Sequence, residues 1–282
     1  MNSKLKTFLI WLFAFIFTAA IAVYQRMTGP TYPIKGKIEI GSQQVKYQLL
    51  TSFGGDGDAP IFIKVPNRNV YGYMNFKRYM SNDSLTSVEL KRVGDYLVTF
   101  IPHQPPAGKV MYRITLTENS KAARDLFFNY ELSKKDVIIR FKGSVPGNVL
   151  IPHIFFIFLA MLFSTITGLE AFFKGKNTLI YTWITVITLL LGGLIIGPMV
   201  QKFSFGEYWT GWPFGYDLTD NKSLIAFIFW IIALIVQYRN RKNRTWPIIA
   251  AFFMLIVFLI PHSVLGSEID YTKEQKTEAH GN

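Results

Sequence analysis

Cysteine is absent from all 282 residues. Without thiols the chain has no disulfide, no thiolate metal site, no cysteine nucleophile and no thioether-linked haem. Charge is also scarce: 17% of residues are Asp, Glu, Lys or Arg, against 50% hydrophobic. The P-loop, the GxGxxG fingerprint, Ser/His/Asp arrangements and zinc-ligand spacings are missing too, which removes the common nucleotide-binding and hydrolytic readings. The apolar residues gather in long uncharged runs, the pattern of membrane spans rather than of a globular core.

The first run, residues 8–24, follows Lys4 and Lys6 and reads either as an uncleaved anchor or as a signal peptide, with "AIA" at 20–22 as the small-residue site. Four more runs cover residues 149–173, 178–200, 218–238 and 245–266. Basic clusters mark the cytoplasmic side. Lys174 and Lys176 lie between the second and third runs, and Arg239, Arg241, Lys242 and Arg244 between the fourth and fifth. With the amino terminus inside, every turn is consistent. The expected protein is an α-helical bundle, an N-terminal anchor plus four transmembrane helices, in a bacterial cytoplasmic (inner) membrane, with the polar segment and the C-terminus extracytoplasmic. Its parts are residues 1–26 (anchor or signal peptide), 27–147 (polar domain), 148–266 (transmembrane domain with an outer loop at 201–217) and 267–282 (polar tail). The formal charge of +12 thus consists largely of topology signals and an outward-facing domain, so no nucleic-acid partner is expected; the lipid bilayer is.

Residues 27–147 read as short, often alternating strands such as "GKIEIG", "APIFIKV", "LTSVELKRV" and "DVIIRFKG", separated by turn-rich stretches. Many strands at this spacing predict an antiparallel β-sandwich. "IPHQPPAGKVMYRITL" at 101–116 resembles the strand–turn–Tyr strand of Ig/fibronectin-III-like domains, a likeness that carries no function. "GGDGD" at 54–58 lacks the ordered oxygens of a calcium loop and reads as a hairpin turn. His103 falls in a Pro-rich turn and His280 in the tail, both read as solvated. Glu170, near the cytoplasmic end, reads as snorkelling or pairing with Lys174 rather than as a proton relay, and Gly193 with Gly197 as a close-packing GxxxG.

His153 and His262 share a local string, "LIPHIFF" and "LIPHSVL", one opening the second run and one closing the last. The topology puts both at the outer boundary, either as interfacial histidines beside a proline or as converging ligands. Midway between them lies "GEYWTGWPFGYD" at 206–217. Asp217, with Asp220 three residues on, suits a helix start at Leu218. The loop reads as an interfacial aromatic belt or as a binding platform.

This arrangement resembles the haem-handling membrane proteins of cytochrome c maturation. "FGEYW" at 205–209 is similar to the opening of their tryptophan-rich outer loop, Tyr216–Asp217 to its aromatic–acid close, and "LTDNKSLIAFIFW" to the helix that follows. The resemblance implies that Trp209, Trp212, Tyr216 and Asp217 contact the porphyrin and that His153 and His262 ligate the iron axially. It implies a haem cofactor or cargo, no bond-making chemistry, and an extracytoplasmic apocytochrome or assembly subunit as partner. The rival expectation is a non-enzymatic accessory or scaffold subunit of an envelope complex that docks through the β domain. A transporter is the weakest, since the spans show no internal repeat.

Overall fold

The computed structural model describes residues 3–120, 126–261, 266 and 268–273. Two units separate: a helical one, Met1–Pro30 with Val145–Ser267, and a mainly-strand one, Thr31–Ser144 with Glu268–Asn282.

The helical unit contains α1 (Ser3–Thr28), α2 (Gly147–Phe172), α3 (Thr178–Leu189), a π-helical segment (Leu190–Ile196), α4 (Gly197–Phe205), α5 (Leu218–Arg239) and α6 (Thr245–Leu259). Among the described residues, four helices are long and apolar enough to cross a membrane: Lys4–Thr28, Gly147–Phe172, Thr178–Phe205 and Leu218–Arg239. The fifth run departs from expectation. Its helix, α6, has 15 residues, or about 22 Å, and stops because Ile260 turns extended ahead of Pro261. The helices meet through small residues, as where a Cβ on Gly168 would lie 2.7 Å from Ala251 Cβ. Trp230 and Met254 fill the interior between Ala160, Ala226, Ala233 and Ala250. Thr178, Thr182 and Thr185 line the buried face of α3; the Thr182 hydroxyl meets Gln237 Oε1 on α5 at 2.6 Å. Such polar contacts hold helices together where apolar burial alone gives no preference over lipid. Of the two expectations for Glu170, the ion pair with Lys174 does not form among the described residues. Glu170 Oε1 accepts from Asn177 N–H at 3.1 Å, tying down the turn into α3.

The strand unit opens with the hairpin β1 (Ile34–Ile40) and β2 (Gln43–Leu49). A six-stranded sheet joins β3 (Ser52–Gly54), β11 (Val137–Lys142), β9 (Lys109–Ser120), β5 (Val70–Arg78) and β6 (Thr86–Glu89) in that order, with β10 (Leu126–Glu131) also on β9. A three-stranded sheet orders β4 (Ala59–Lys64), β8 (Tyr96–Ile101) and β7 (Lys91–Val93). All three contribute to one core, from Val45 and Leu49 through Ile61 and Leu97 to Ile114 and Phe141. Every pairing is antiparallel except β11 with β3, so the sheets are not wholly antiparallel as expected. "LTSVELKRV" is not one strand: at buried Leu90, whose N–H donates to Gly72 O, the chain leaves one sheet as β6 and joins the other as β7. "GGDGD" is likewise no hairpin turn, because β3 and β4 belong to different sheets. There Asp58 accepts the His103 N–H at 2.8 Å.

Two polar side chains, half-buried Arg92 and buried Tyr112, close the domain. The Arg92 guanidinium donates to the carbonyls of Val65, Asn67 and Val70; burial, then the nearby Arg68 charge, pull its pKa down. Tyr112 donates to Leu50 O at 2.8 Å, and burial pushes its pKa far above the ordinary phenol value. After α6 the chain joins this domain. Tyr271 is buried, donates to Gln104 Oε1 at 2.9 Å and lies under the Arg78 guanidinium, 4.6 Å from its ring centroid. Lys109 pairs with Glu268 beside it.

Candidate functional site

The aromatic loop is built from the first turn of α5. Asp217 caps that helix, its Oδ1 accepting from Thr219 N–H at 2.8 Å. Asp220 reaches back under the loop, and its Oδ2 accepts from Thr210 N–H at 2.7 Å and Gly211 N–H at 3.0 Å. Asn221 Oδ1 takes the next amide, Trp212 N–H, at 2.6 Å. Three consecutive backbone donors are thus held by two adjacent side chains. Gly211 is required there, since a Cβ would lie 2.6 Å from Asp220 Cβ and 2.8 Å from Asn221 Oδ1. Gln201 on α4 braces the other side, its Nε2 donating to Thr210 Oγ1 at 2.7 Å.

This anchoring turns polar groups inward and aromatic faces outward. Trp212 is 68% exposed, Phe214 82% and Tyr216 94%, while Asp217 is 8% exposed. Trp209 is half-buried and donates from Nε1 to Trp212 O at 3.1 Å. Trp209 and Trp212 are thus tied together within the loop, Tyr216 is its most exposed ring, and the buried Asp217 carboxylate serves as the helix cap.

His153, in the second turn of α2, meets the π-helical segment: its Nδ1 is 2.9 Å from Gly192 O. A carbonyl only accepts, so Nδ1 carries the proton and Nε2 keeps its lone pair. The close approach is made at Gly192, where a Cβ would lie 2.9 Å from Ile157 N, rather than at the expected Gly193. Gly197 also borders the ring, with a Cβ position 3.7 Å from His153 Cε1. Gln201, one helical turn beyond Gly197, touches the loop, so α4 links imidazole and aromatic surface.

His262 lies outside the described residues. Pro261, immediately before it, is held at the same end of the helical unit. Lys222, 4% exposed in the second turn of α5, donates to Ile260 O at 2.8 Å and Pro261 O at 3.4 Å. Gln25 of α1 adds a bond to Phe258 O at 3.1 Å. These donors satisfy carbonyls that the end of α6 leaves open. Asp220, Asn221, Gln201 and Lys222 were not singled out from sequence as site residues. Acidic and amide side chains at the third and fourth positions after an N-cap are the signal for the first two. Among the described residues no three His, Asp or Glu side chains assemble as a metal site.

The fold and site define a helical, membrane-type unit joined in sequence to a strand domain, with an anchored aromatic loop connected through α4 to a tautomer-fixed histidine. Compared with known proteins, the chain matches no family model, no curated sequence and no solved structure.

Proposed function

We propose that this is an integral membrane protein that binds or handles haem at the outer face of the membrane without bond-making chemistry. The observation that carries the reading is a convergence: His153, the loop with Trp209, Trp212 and Tyr216, and the Lys222-held approach to position 262 occupy one end of the helical unit. The group fits what the residues offer. An imidazole whose Nδ1–H is fixed by a backbone carbonyl presents the Nε2 lone pair that iron takes, and exposed aromatic faces suit a flat macrocycle. His153 and His262 would hold the haem iron, Trp209, Trp212 and Tyr216 would contact the porphyrin, and Asp217 would hold the loop that carries them. Haem supplies electron-transfer capacity when bound. The partner is an extracytoplasmic apocytochrome or assembly subunit.

The membrane arrangement has its own support. The helical segment starts from the strand domain, and after it residues 268–273 rejoin that domain. Leaving and returning to one side requires an even number of crossings. α2, the α3–α4 span and α5 make three, so α6 crosses too, its short helix lengthened by extended residues 260–261. Basic clusters then face the cytoplasm, and the strand domain is an extracytoplasmic sandwich.

Purification in mild detergent with haem supplied tests the reading. The expected preparation is red, with a Soret band lost or shifted in His153→Ala and His262→Ala. A colourless wild-type protein overturns it, and a partner retained through residues 27–147 in such a preparation supports the accessory-subunit reading.

A further inference from the structure

An antiparallel sheet with one face on a core ordinarily shows polar side chains on the other. The β4–β8–β7 sheet does not. Its inward positions, including Ile61, Ile63, Leu97 and Ile101, belong to the core. Its outward positions carry Phe62, Phe100, Tyr96 and Val93, with Phe62 56% and Phe100 53% exposed. The register makes these one surface: Lys64 pairs with Tyr96, and Tyr96 in turn with Val93, while Phe62 pairs with Val98, and Val98 with Lys91. The only charges on this face are Lys64 and Lys91, and the three strands contain no acid at all. Of the acids that flank these strands, Asp58 takes the His103 N–H and Asp95 leans toward Arg68 at 3.9 Å, while Glu89 ends β6 in the other sheet.

Aromatic rings with lysines and no carboxylate match an anionic lipid headgroup layer, where rings sit at the interface and each lysine gains from surface charge. A second copy is disfavoured, because self-pairing would set lysines against lysines with no acid to meet them. Within the strand unit, the residues outside the described ones, 121–125 and 274–282, include no large apolar side chain with which to cover the patch. We propose that the outward face of β4–β8–β7 is a docking surface for anionic membrane lipid. The inference is independent of haem and rests on the chain being membrane-embedded.

The absence of cysteine makes the test direct. Phe62→Cys, Phe100→Cys and, as a control on the exposed β6 edge, Thr86→Cys are labelled with an environment-sensitive fluorophore in the full chain. Each is placed in nanodiscs of phosphatidylcholine alone or mixed with phosphatidylglycerol, with nitroxide lipids as quenchers. Expected are blue-shifted emission and quenching at positions 62 and 100 in the anionic discs and little at 86. Reversing both charges, Lys64→Glu with Lys91→Glu, lowers the quenched population by about tenfold or more. Three outcomes overturn the proposal: water-exposed emission at 62 and 100 in both discs, equal quenching at 86, or protection in lipid-free detergent that rises with protein concentration, the mark of a second copy. Positions 62 and 100 lie outside the core, so an unchanged thermal transition separates loss of docking from loss of fold.

Discussion

Replacing Asp220 with alanine is the sharpest test of how the aromatic loop is held. In the native protein one carboxylate oxygen takes two successive amides, Thr210 at 2.7 Å and Gly211 at 3.0 Å, under a side chain 6% exposed. Truncation strands both donors. Each buried group left unpaired costs about 1–3 kcal/mol. The pair together costs about 2–6 kcal/mol, with the low end applying if water enters. Even about 2 kcal/mol raises the open population of the loop roughly thirtyfold. Hydrogen-exchange mass spectrometry of peptides covering residues 206–217, in detergent, reads this directly. The loop amides should exchange at least about ten times faster in Asp220→Ala while mid-helix amides of α5 stay protected. Asp220→Asn, which keeps one acceptor oxygen, should fall between. Unchanged loop exchange in a well-folded Asp220→Ala protein would refute the anchoring role.

Gly211→Ala should loosen the same peptide by a comparable factor, since its Cβ has no room beside Asp220 and Asn221, and the same exchange measurement checks it. Tyr271→Ala removes a buried ring, its bond to Gln104 and the Arg78 contact; a loss of about 3–5 kcal/mol is expected, read as protease release of the C-terminal tail at lower urea. Tyr112 holds its proton more tightly folded than unfolded, so its contribution is complete below about pH 10 and declines as pH rises above that. Tyr112→Phe should therefore cost about 1–2 kcal/mol at neutral pH and flatten the alkaline fall in stability, measured by denaturant midpoints from pH 8 to 11. Lys222→Met frees the Ile260 and Pro261 carbonyls; faster exchange at the end of α6 and a lowered melting temperature are the expected signs.

Much of the architecture was legible because it repeats. Alternation along "APIFIKV" and "DVIIRFKG" marked β4 and β11, and the Asp217 N-cap marked the start of α5 at Leu218. What escaped has no period. β3 is three residues long, too short to alternate. The break at Leu90 falls inside a continuous strand pattern, since the switch between sheets is decided by where Gly72 and the core lie rather than by local preference. The docking of Tyr271 was hidden by its polar surroundings, because its partners Arg78 and Gln104 are distant in sequence. For the site, the exposed aromatics were conspicuous, whereas the side chains that hold them look like ordinary first-turn helix residues. The outward face of β4 and β8 was equally hidden: Phe62 and Phe100 lie among apolar neighbours, so little polar contrast separates the two faces there, and only the fold reveals that one side meets no core.

The wide turn at Leu190–Ile196 also sets a rotational phase. An α-helix advances about 100° per residue. Rewinding the same residues as a regular α-helix would swing everything downstream by about that angle, carrying Gln201 away from Thr210 and parting the Gly192 carbonyl from His153. The wide turn thereby serves as the gear that keeps an imidazole and a distant loop in step, and a regularly wound helix of the same residues, equally apolar, would lose their alignment.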